Sequence, residues 1–447
     1  MPSTRSDSVY LDYNATAPLL PAALEALQRT LAERPGNPSS PHRFGQAARD
    51  ALETARDALA GRLGFTRREW LFTSGGTESN NAALRWLADF APAGPAAPRD
   101  ERAAVPSEPR AERAAVHLIT TPIEHPSLLR CAEWLAERGV TVSLLPVGAD
   151  GVVQVDGLAE LLRPETRLVS VMAANNETGV LQPLERIGAL VREARAAGRA
   201  PRVLLHTDAV QAFGRVPLAP KAWGFDAVTV AAHKLGGPLG IGALAVREHA
   251  GLPGFPAFPA FLLGGKQERG KRAGTESVAL AAAFAAAAEW VCLRLPEQAA
   301  RLAALRDRLE RSVSDLPGAF VNGAGAPRVP NTSNLGFAGI AAESLVVALD
   351  LEGIAVSTGS ACSSGALEPS HVLTAMGLPE ERVRGALRIS LGWGTTEADV
   401  DRCAEVLRAQ VRRLRGTEGA SAGRPPSPGG PHPPGPFSRR GERGSTV

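Results

Sequence analysis

Lysine is nearly missing from this 447-residue chain: of its 49 basic residues only Lys221, Lys234, Lys266 and Lys271 are lysines, and the rest are arginine. A chain that meets its need for positive charge with arginine keeps lysine where an amine able to lose its proton is wanted. Only four positions can therefore form a Schiff base. Cysteine is scarce too. Cys131, Cys292, Cys362 and Cys403 lie far apart with no Cys-x-x-Cys pair, which excludes a disulfide framework or a close-spaced zinc site and fits a reducing compartment. The net charge of +3 is too small for a nucleic-acid footprint. Long hydrophobic runs are absent: the longest uncharged apolar stretch, residues 277–288, is mostly alanine and shorter than a membrane span. Residues 1–8 have no apolar core, so no secretory signal is expected. What is there, 44% hydrophobic and 21% charged residues, is the profile of a globular protein long enough for two or three domains. The expectation is a cytoplasmic enzyme or binding protein.

Two segments read as unstructured. Residues 91–114 are rich in Pro, Ala and charge without apolar periodicity, and residues 416–447 are rich in Pro and Gly; neither can bury enough apolar surface to offset the entropy of ordering it. Elsewhere, strand-like runs at 116–120, 140–145, 168–172, 203–207, 227–231 and 242–246 are separated by helical patterns such as 128–138 and 184–197. Ala48, Leu52, Ala55, Leu59 and Leu63 recur at helical spacing before Gly64, a helix with its stop signal. Alternation of this kind predicts an α/β fold, a mainly parallel sheet covered by helices, with ligands bound beyond the carboxyl ends of the strands. After residue 296 a long helical pattern at 298–316, a shorter one at 345–351 and a strand-like run at 387–391 predict a smaller α+β domain.

The chemically unusual residues fall just after strand candidates. In TSGGTES (73–79) a glycine pair opens a helical run, leaving backbone N–H groups at the positive end of the helix dipole, where a phosphate fits; an ordinary loop with Thr77 as cap is the plainer alternative. In LLHTDAVQ (204–211) an acid follows an apolar strand. Such an Asp can hold a protonated pyridine nitrogen, or simply cap the next helix. In AVTVAAHKLGG (227–237) Lys234 follows a strand among small and apolar residues, surroundings that disfavour the ammonium form and leave an amine able to form an imine.

Set in order, these motifs resemble the class V pyridoxal-phosphate enzymes, and further runs narrow the resemblance to cysteine desulfurases of the NifS/IscS type. The matching runs are YLDYNATAP (10–18), GNPSSPHRFGQ (36–46), FTSGGTES (72–79), TPIEHPSLL (121–129), SVMAANNETGVLQP (170–183), HTDAVQAFG (206–214), AHKLGGPLGIGAL (232–244), GGKQERGKRAGTES (264–277), STGSACSSG (357–365), PSHVLTAMG (369–377) and ALRISLGWGTTEADVD (386–401). The resemblance implies a fold-type I pyridoxal-phosphate enzyme: a large cofactor-binding domain over 17–295, a small domain of 1–16 and 296–415, and the tail from 416. It implies conversion of L-cysteine to L-alanine with the sulfur held as a persulfide and passed to an acceptor protein, an iron–sulfur scaffold or a tRNA-thiolating enzyme.

Residue by residue, the resemblance implies that Lys234 holds pyridoxal 5'-phosphate covalently, Asp208 pairs with the ring nitrogen, and Gln211 bonds the phenolic oxygen. His125 would stack on the ring and move protons. Gly76, Thr77 and His233 would hold the phosphate, with Thr275 reaching it from the partner subunit of a homodimer. Asn176, also set beside the cofactor, and Arg388 resemble a clamp on the substrate carboxylate, a task that suits a bidentate arginine. Cys362, in a run of small residues that favours an exposed loop, would carry the persulfide, whereas Cys131, Cys292 and Cys403 read as structural thiols. No metal, membrane or nucleic acid is implied. The chain departs from its relatives at Ala231, where serine is usual, and at Gly236 and Leu239, where tyrosine and lysine are usual. Loss of a hydroxyl to the phosphate predicts weaker cofactor retention. A related lyase or aminotransferase and a scaffold that has lost its cofactor are the competing readings.

Overall fold

A computed structural model describes residues 8–89, 115–248, 258–359 and 369–422. The insertion expected at 91–114 lies outside these residues, as do Cys362 and residues 423–447. The chain runs on in the helix Glu397–Ala422, past the tail boundary expected at 416.

Seven strands form the main sheet: β1 (Trp70–Thr73), β2 (Val116–Thr120), β3 (Val140–Leu144), β4 (Thr166–Ser170), β5 (Leu204–Asp208), β6 (Ala227–Ala231) and β7 (Gly242–Val246). Their order is β1-β7-β6-β5-β4-β2-β3. Strand β7 runs against both of its neighbours, and every other pairing is parallel. Six strands therefore point the same way and their carboxyl ends share one edge. The central strands are buried along their whole length, as a sheet with both faces covered requires. The short strand β1 goes unseen in the sequence pattern, and β4 starts two residues before the expected run at 168. The reason is a polar pairing that hydropathy does not show: buried His117 on β2 bonds Thr166 Oγ1 at 2.9 Å. His206 on β5 likewise spans Ser170 (2.8 Å) and Thr229 (3.0 Å).

The alanine-rich stretch is the helix Val278–Leu293, packed against α1 (Pro21–Glu33) and α2 (Arg43–Arg62). Small side chains at Ala281, Ala283, Ala287 and Ala288 are buried there with Phe284. Among the described residues no single helix is long and apolar enough to cross a membrane.

A second core forms around β8 (Ala319–Val321), β9 (Thr332–Phe337) and β10 (Ala386–Ser390), antiparallel in the order β10-β9-β8. The helices Leu295–Val313, Ala342–Leu351 and Glu397–Ala422 cover it. Val9–Tyr10 joins this side by pairing with Ile354–Ala355. The chain then crosses to the main sheet. Asn14 N donates to Ser390 Oγ at 2.9 Å, while Ala17 N and Leu20 N donate to the carbonyls of His233 and Gly236, both at 2.8 Å. This strap ties the two cores together beside Lys234.

Candidate active site

The shared strand edge collects the residues singled out above. Asp208 ends β5, and Lys234 closes the turn Ala232–Lys234 that follows β6. The glycine pair after β1 opens helix α3 (Gly76–Arg85) and His125 after β2 caps α4 (Pro126–Ala136). Close backbone approach is built into the edge. A Cβ on Gly242 would lie 2.7 Å from Gly75 Cα, so glycine there is what lets α3 start against β7.

Lys234 Nζ donates to the carbonyls of Asn14 (2.8 Å) and Ala15 (2.6 Å). Gln211 Nε2 donates to the same Asn14 oxygen at 3.0 Å. Two donors on different loops thus converge on one backbone oxygen, which sets an amine and an amide side by side. Asp208 is held from two sides, Oδ2 by Asn80 Nδ2 at 2.7 Å and Oδ1 by Val210 N at 2.9 Å. Asn80 also donates to Ser127 Oγ (3.0 Å), which bonds His125 Nδ1 (2.8 Å), so a polar chain links Asp208 to His125. Burial holds the His125 imidazole below its ordinary pKa, the Lys234 and His371 charges push the same way, and Asp208 opposes them.

Helix α3 presents its first turn to this edge. Gly76 faces Val210 and Ala231, a Cβ there lying 3.0 Å from Val210 Cγ2 and 3.8 Å from Ala231 Cβ. Ser74 N and Thr73 Oγ1 are taken up by Glu78 (2.7 Å) and Ser79 (2.8 Å), which fixes the approach to the turn. His233 Nδ1 bonds Thr16 Oγ1 at 3.1 Å, and its pKa is lowered to about 4 by burial, with Lys234 and Arg215 adding to the effect. Thr77 and Thr275 are exposed. The donor set, a helix N-terminus with an amine, an amide and a strand-end carboxylate, fits pyridoxal phosphate.

Across the cleft, Arg388 on β10 is buried. Its Nη2 donates to Asp12 Oδ1 at 2.8 Å and its Nη1 reaches the Asn176 carbonyl at 3.4 Å. Its Nε is buried and has no hydrogen-bond partner among the described residues. Asn176 sits on a turn organised by Asn175 Oδ1, which accepts from Glu177 N (2.9 Å) and Thr178 N (3.0 Å). Three of the four cysteines are poorly suited to thiolate chemistry: burial pushes Cys131 up to about 11, Cys403 up to about 12, and Cys292 upward. The sequence reading assigns no role to Asp12, Asn14, Asn80, Glu124, Glu177 or Arg215, although these residues hold the site together. For several of them the partner is hundreds of positions away.

The fold and this edge define a class-V aminotransferase: that family's profile matches residues 9–97 and 103–403, and the chain belongs to the family, whose membership implies pyridoxal phosphate. The cysteine desulfurase of Trichormus azollae is 42% identical over 408 residues, spanning 91% of this chain and 94% of its own. IscS, the cysteine desulfurase of Dictyoglomus turgidum, is 39% identical over 411 residues, spanning 91% and 95%. Among solved structures, a NifS-like protein superposes with a TM-score of 0.78 at 33% identity, spanning 92% of this chain and 100% of its own. Within the family the chain is a cysteine desulfurase of the NifS/IscS-like type.

Proposed function

We propose that this site converts L-cysteine to L-alanine with Lys234, Asp208 and Gln211 holding pyridoxal phosphate, and passes the sulfur through a persulfide on Cys362. The observation that carries the reading is the convergence of Lys234 Nζ and Gln211 Nε2 on one oxygen, beside a doubly held Asp208. The bound cofactor supplies an electron sink for charge at the substrate α-carbon.

The chain's own residues do the rest. Asp208, oriented by Asn80 and Val210, holds a proton on the ring nitrogen. The first turn of α3 with Gly76 and Thr77, together with His233, holds the phosphate. Arg388 and Asn176 orient the substrate carboxylate; that cysteine is the substrate is supported by a solved relative, SspA, in complex with cysteine. Lys234, once free, moves the α-proton, and neutral His125 handles protons at the substrate. The Cys362 thiolate attacks the substrate sulfur: an S–S bond forms, the C–S bond breaks, and the carbon takes a proton to give alanine. The persulfide sulfur then goes to an acceptor, an iron–sulfur scaffold or a tRNA-thiolating enzyme. Exposed Thr275 reaches the phosphate of a second copy, making a homodimer. The division into a unit of 17–295 and one of 1–16 with 296–415 belongs to the same reading.

The test is incubation with L-cysteine, measuring alanine and protein-bound persulfide together. Lys234→Ala should lose both, about 10³-fold or more, and Cys362→Ser should lose both while keeping the visible absorption of the cofactor. Alanine and sulfide released by Cys362→Ser at the wild-type rate would overturn the role of that thiol.

A further inference from the structure

Arg215 lies four residues beyond Gln211, buried beneath the cofactor edge. Two other buried arginines meet acids: Arg56 pairs with Glu268 at 2.6 Å and Arg388 with Asp12 at 2.8 Å. The bonded partners of Arg215 are all neutral. Its Nη1 donates to Asn14 Oδ1 at 2.8 Å, to the Gln211 carbonyl at 3.3 Å and to Gln211 Oε1, and its Nη2 donates to the Lys234 carbonyl at 3.0 Å. Burial, with Arg388 acting the same way, pushes its pKa down to about 9.

A carboxamide can present either its oxygen or its NH2 group in a given direction, and little in its shape decides which. A guanidinium decides it, because it has donors and no acceptor, so only the oxygen end is tolerated against it. One nitrogen of Arg215 settles two such amides. With Gln211 Oε1 turned to Arg215, Nε2 must face the Asn14 oxygen, the point to which Lys234 Nζ also reaches. With Asn14 Oδ1 held, its Nδ2 must face the Asn176 carbonyl (3.1 Å) and Thr332 Oγ1 (2.9 Å).

We propose that Arg215 is a positioning residue that locks Gln211 as a hydrogen-bond donor to the cofactor and fixes the backbone of Lys234 beneath it. The inference rests on the reading of Lys234 and Gln211 as cofactor ligands. Without the guanidinium the Gln211 amide is free to turn its oxygen toward the ring oxygen, and binding then loses an attraction and gains a repulsion.

The experiment titrates apoprotein with pyridoxal phosphate, following visible absorbance, for Arg215→Met, Arg215→Lys, Gln211→Ala and the double variants. Arg215→Met should raise the dissociation constant about tenfold or more, the scale of one hydrogen bond to a charged group. Arg215→Lys keeps a charge but loses the planar fork that reaches four oxygens on three residues, and should recover only part of the loss. In the Gln211→Ala background either change should cost less than about threefold, because the amide that Arg215 orients is gone and, toward the cofactor, only its bond to the Lys234 carbonyl is left to lose. Equal costs in the two backgrounds, or wild-type affinity in Arg215→Met, would overturn the proposal. If Arg215→Met does not fold, the Arg215→Lys cycle decides the matter by the same criterion. Borohydride trapping of the wild-type protein tests the underlying reading separately, since a pyridoxyl label on a lysine other than Lys234 sinks that reading whatever Arg215 does.

Discussion

On the main-sheet side of the cleft, Asp208, Gly76, His125 and Lys234 each leave the end of a strand within a few residues, and each is fixed by neighbours on adjoining turns. On the facing side, Arg388 sits in the middle of β10 and takes its orientation from Asp12, 376 residues earlier in the chain. The first side is a product of local chain direction in a parallel sheet. The second exists only once the strap at residues 12–20 has brought two cores together. If the division holds, the cofactor side and the substrate side should fail separately.

Among changes that leave Lys234 and Cys362 in place, the largest effect is expected at the substrate side. Arg388→Lys keeps the charge but loses the planar fork, and should lower kcat/KM for L-cysteine about 10- to 100-fold, mostly through KM. Cofactor affinity should stay within about twofold, since the retained ammonium still serves Asp12. Steady-state kinetics and cofactor titration on one preparation check both halves. A matching loss of cofactor binding would show that the two sides act as one unit.

The same contrast decides what the sequence discloses. Strand ends followed by Asp and His-Lys are visible because short apolar runs mark where the sheet stops and chemistry begins, while the Gly-Gly pair shows by its own composition although the strand before it does not. The α/β class and the segments that carry Gly76, Asp208 and Lys234 follow from that pattern. The seventh strand's reversal does not, because Gly242–Val246 is as apolar as the parallel strands of the sheet and direction leaves no mark on composition. Nor do Asn14, Asp12 and Arg215, whose roles lie in bonds spanning as many as 376 positions. Buried His117 and His206 are hidden for a related reason: their partners are hydroxyls on neighbouring strands.

A smaller change is expected on the cofactor side. Ala231 is buried, and the space between its Cβ and Gly76 adjoins the first turn of α3. Ala231→Ser puts a hydroxyl there. It should tighten cofactor retention about tenfold, the scale of one hydrogen bond to a charged phosphate, while leaving KM for L-cysteine within about twofold. Dissociation on dilution of the holoenzyme measures the first and kinetics the second. Unchanged retention would mean that backbone amides already satisfy the phosphate.

The finest comparison is between two buried carboxyls in loops after main-sheet strands, Glu124 after β2 and Glu177 after β4, the second of which faces Ser370 and Arg388. Glu124, beside His125, accepts from Thr121 Oγ1 and Met172 N, both at 2.8 Å, and no cation among the described residues offsets its burial. Burial, reinforced by the Asp208 charge, pushes it up to about 8. Glu177 is also raised by burial, but the Ser370 hydroxyl at 2.5 Å and the charges of His371 and Arg388 oppose the rise. Between the ordinary carboxyl range and the raised value, the folded chain binds a proton that the unfolded chain does not. Stability contributed by the neutral carboxyl is therefore present at low pH and lost as pH rises through that window. Glutamine mimics the protonated form and does not titrate. Melting curves from about pH 5 to about pH 8 should thus fall less steeply for Glu124→Gln than for the wild type, with the variant ahead by several degrees at the alkaline end. For Glu177→Gln the difference should have the same sign but be smaller, because nearby cations already offset part of the cost of ionising that carboxyl. Parallel curves for Glu124→Gln and wild type would show that Glu124 ionises in place, and equal differences at the two positions would erase the electrostatic contrast between a carboxyl that faces Arg388 and one that does not.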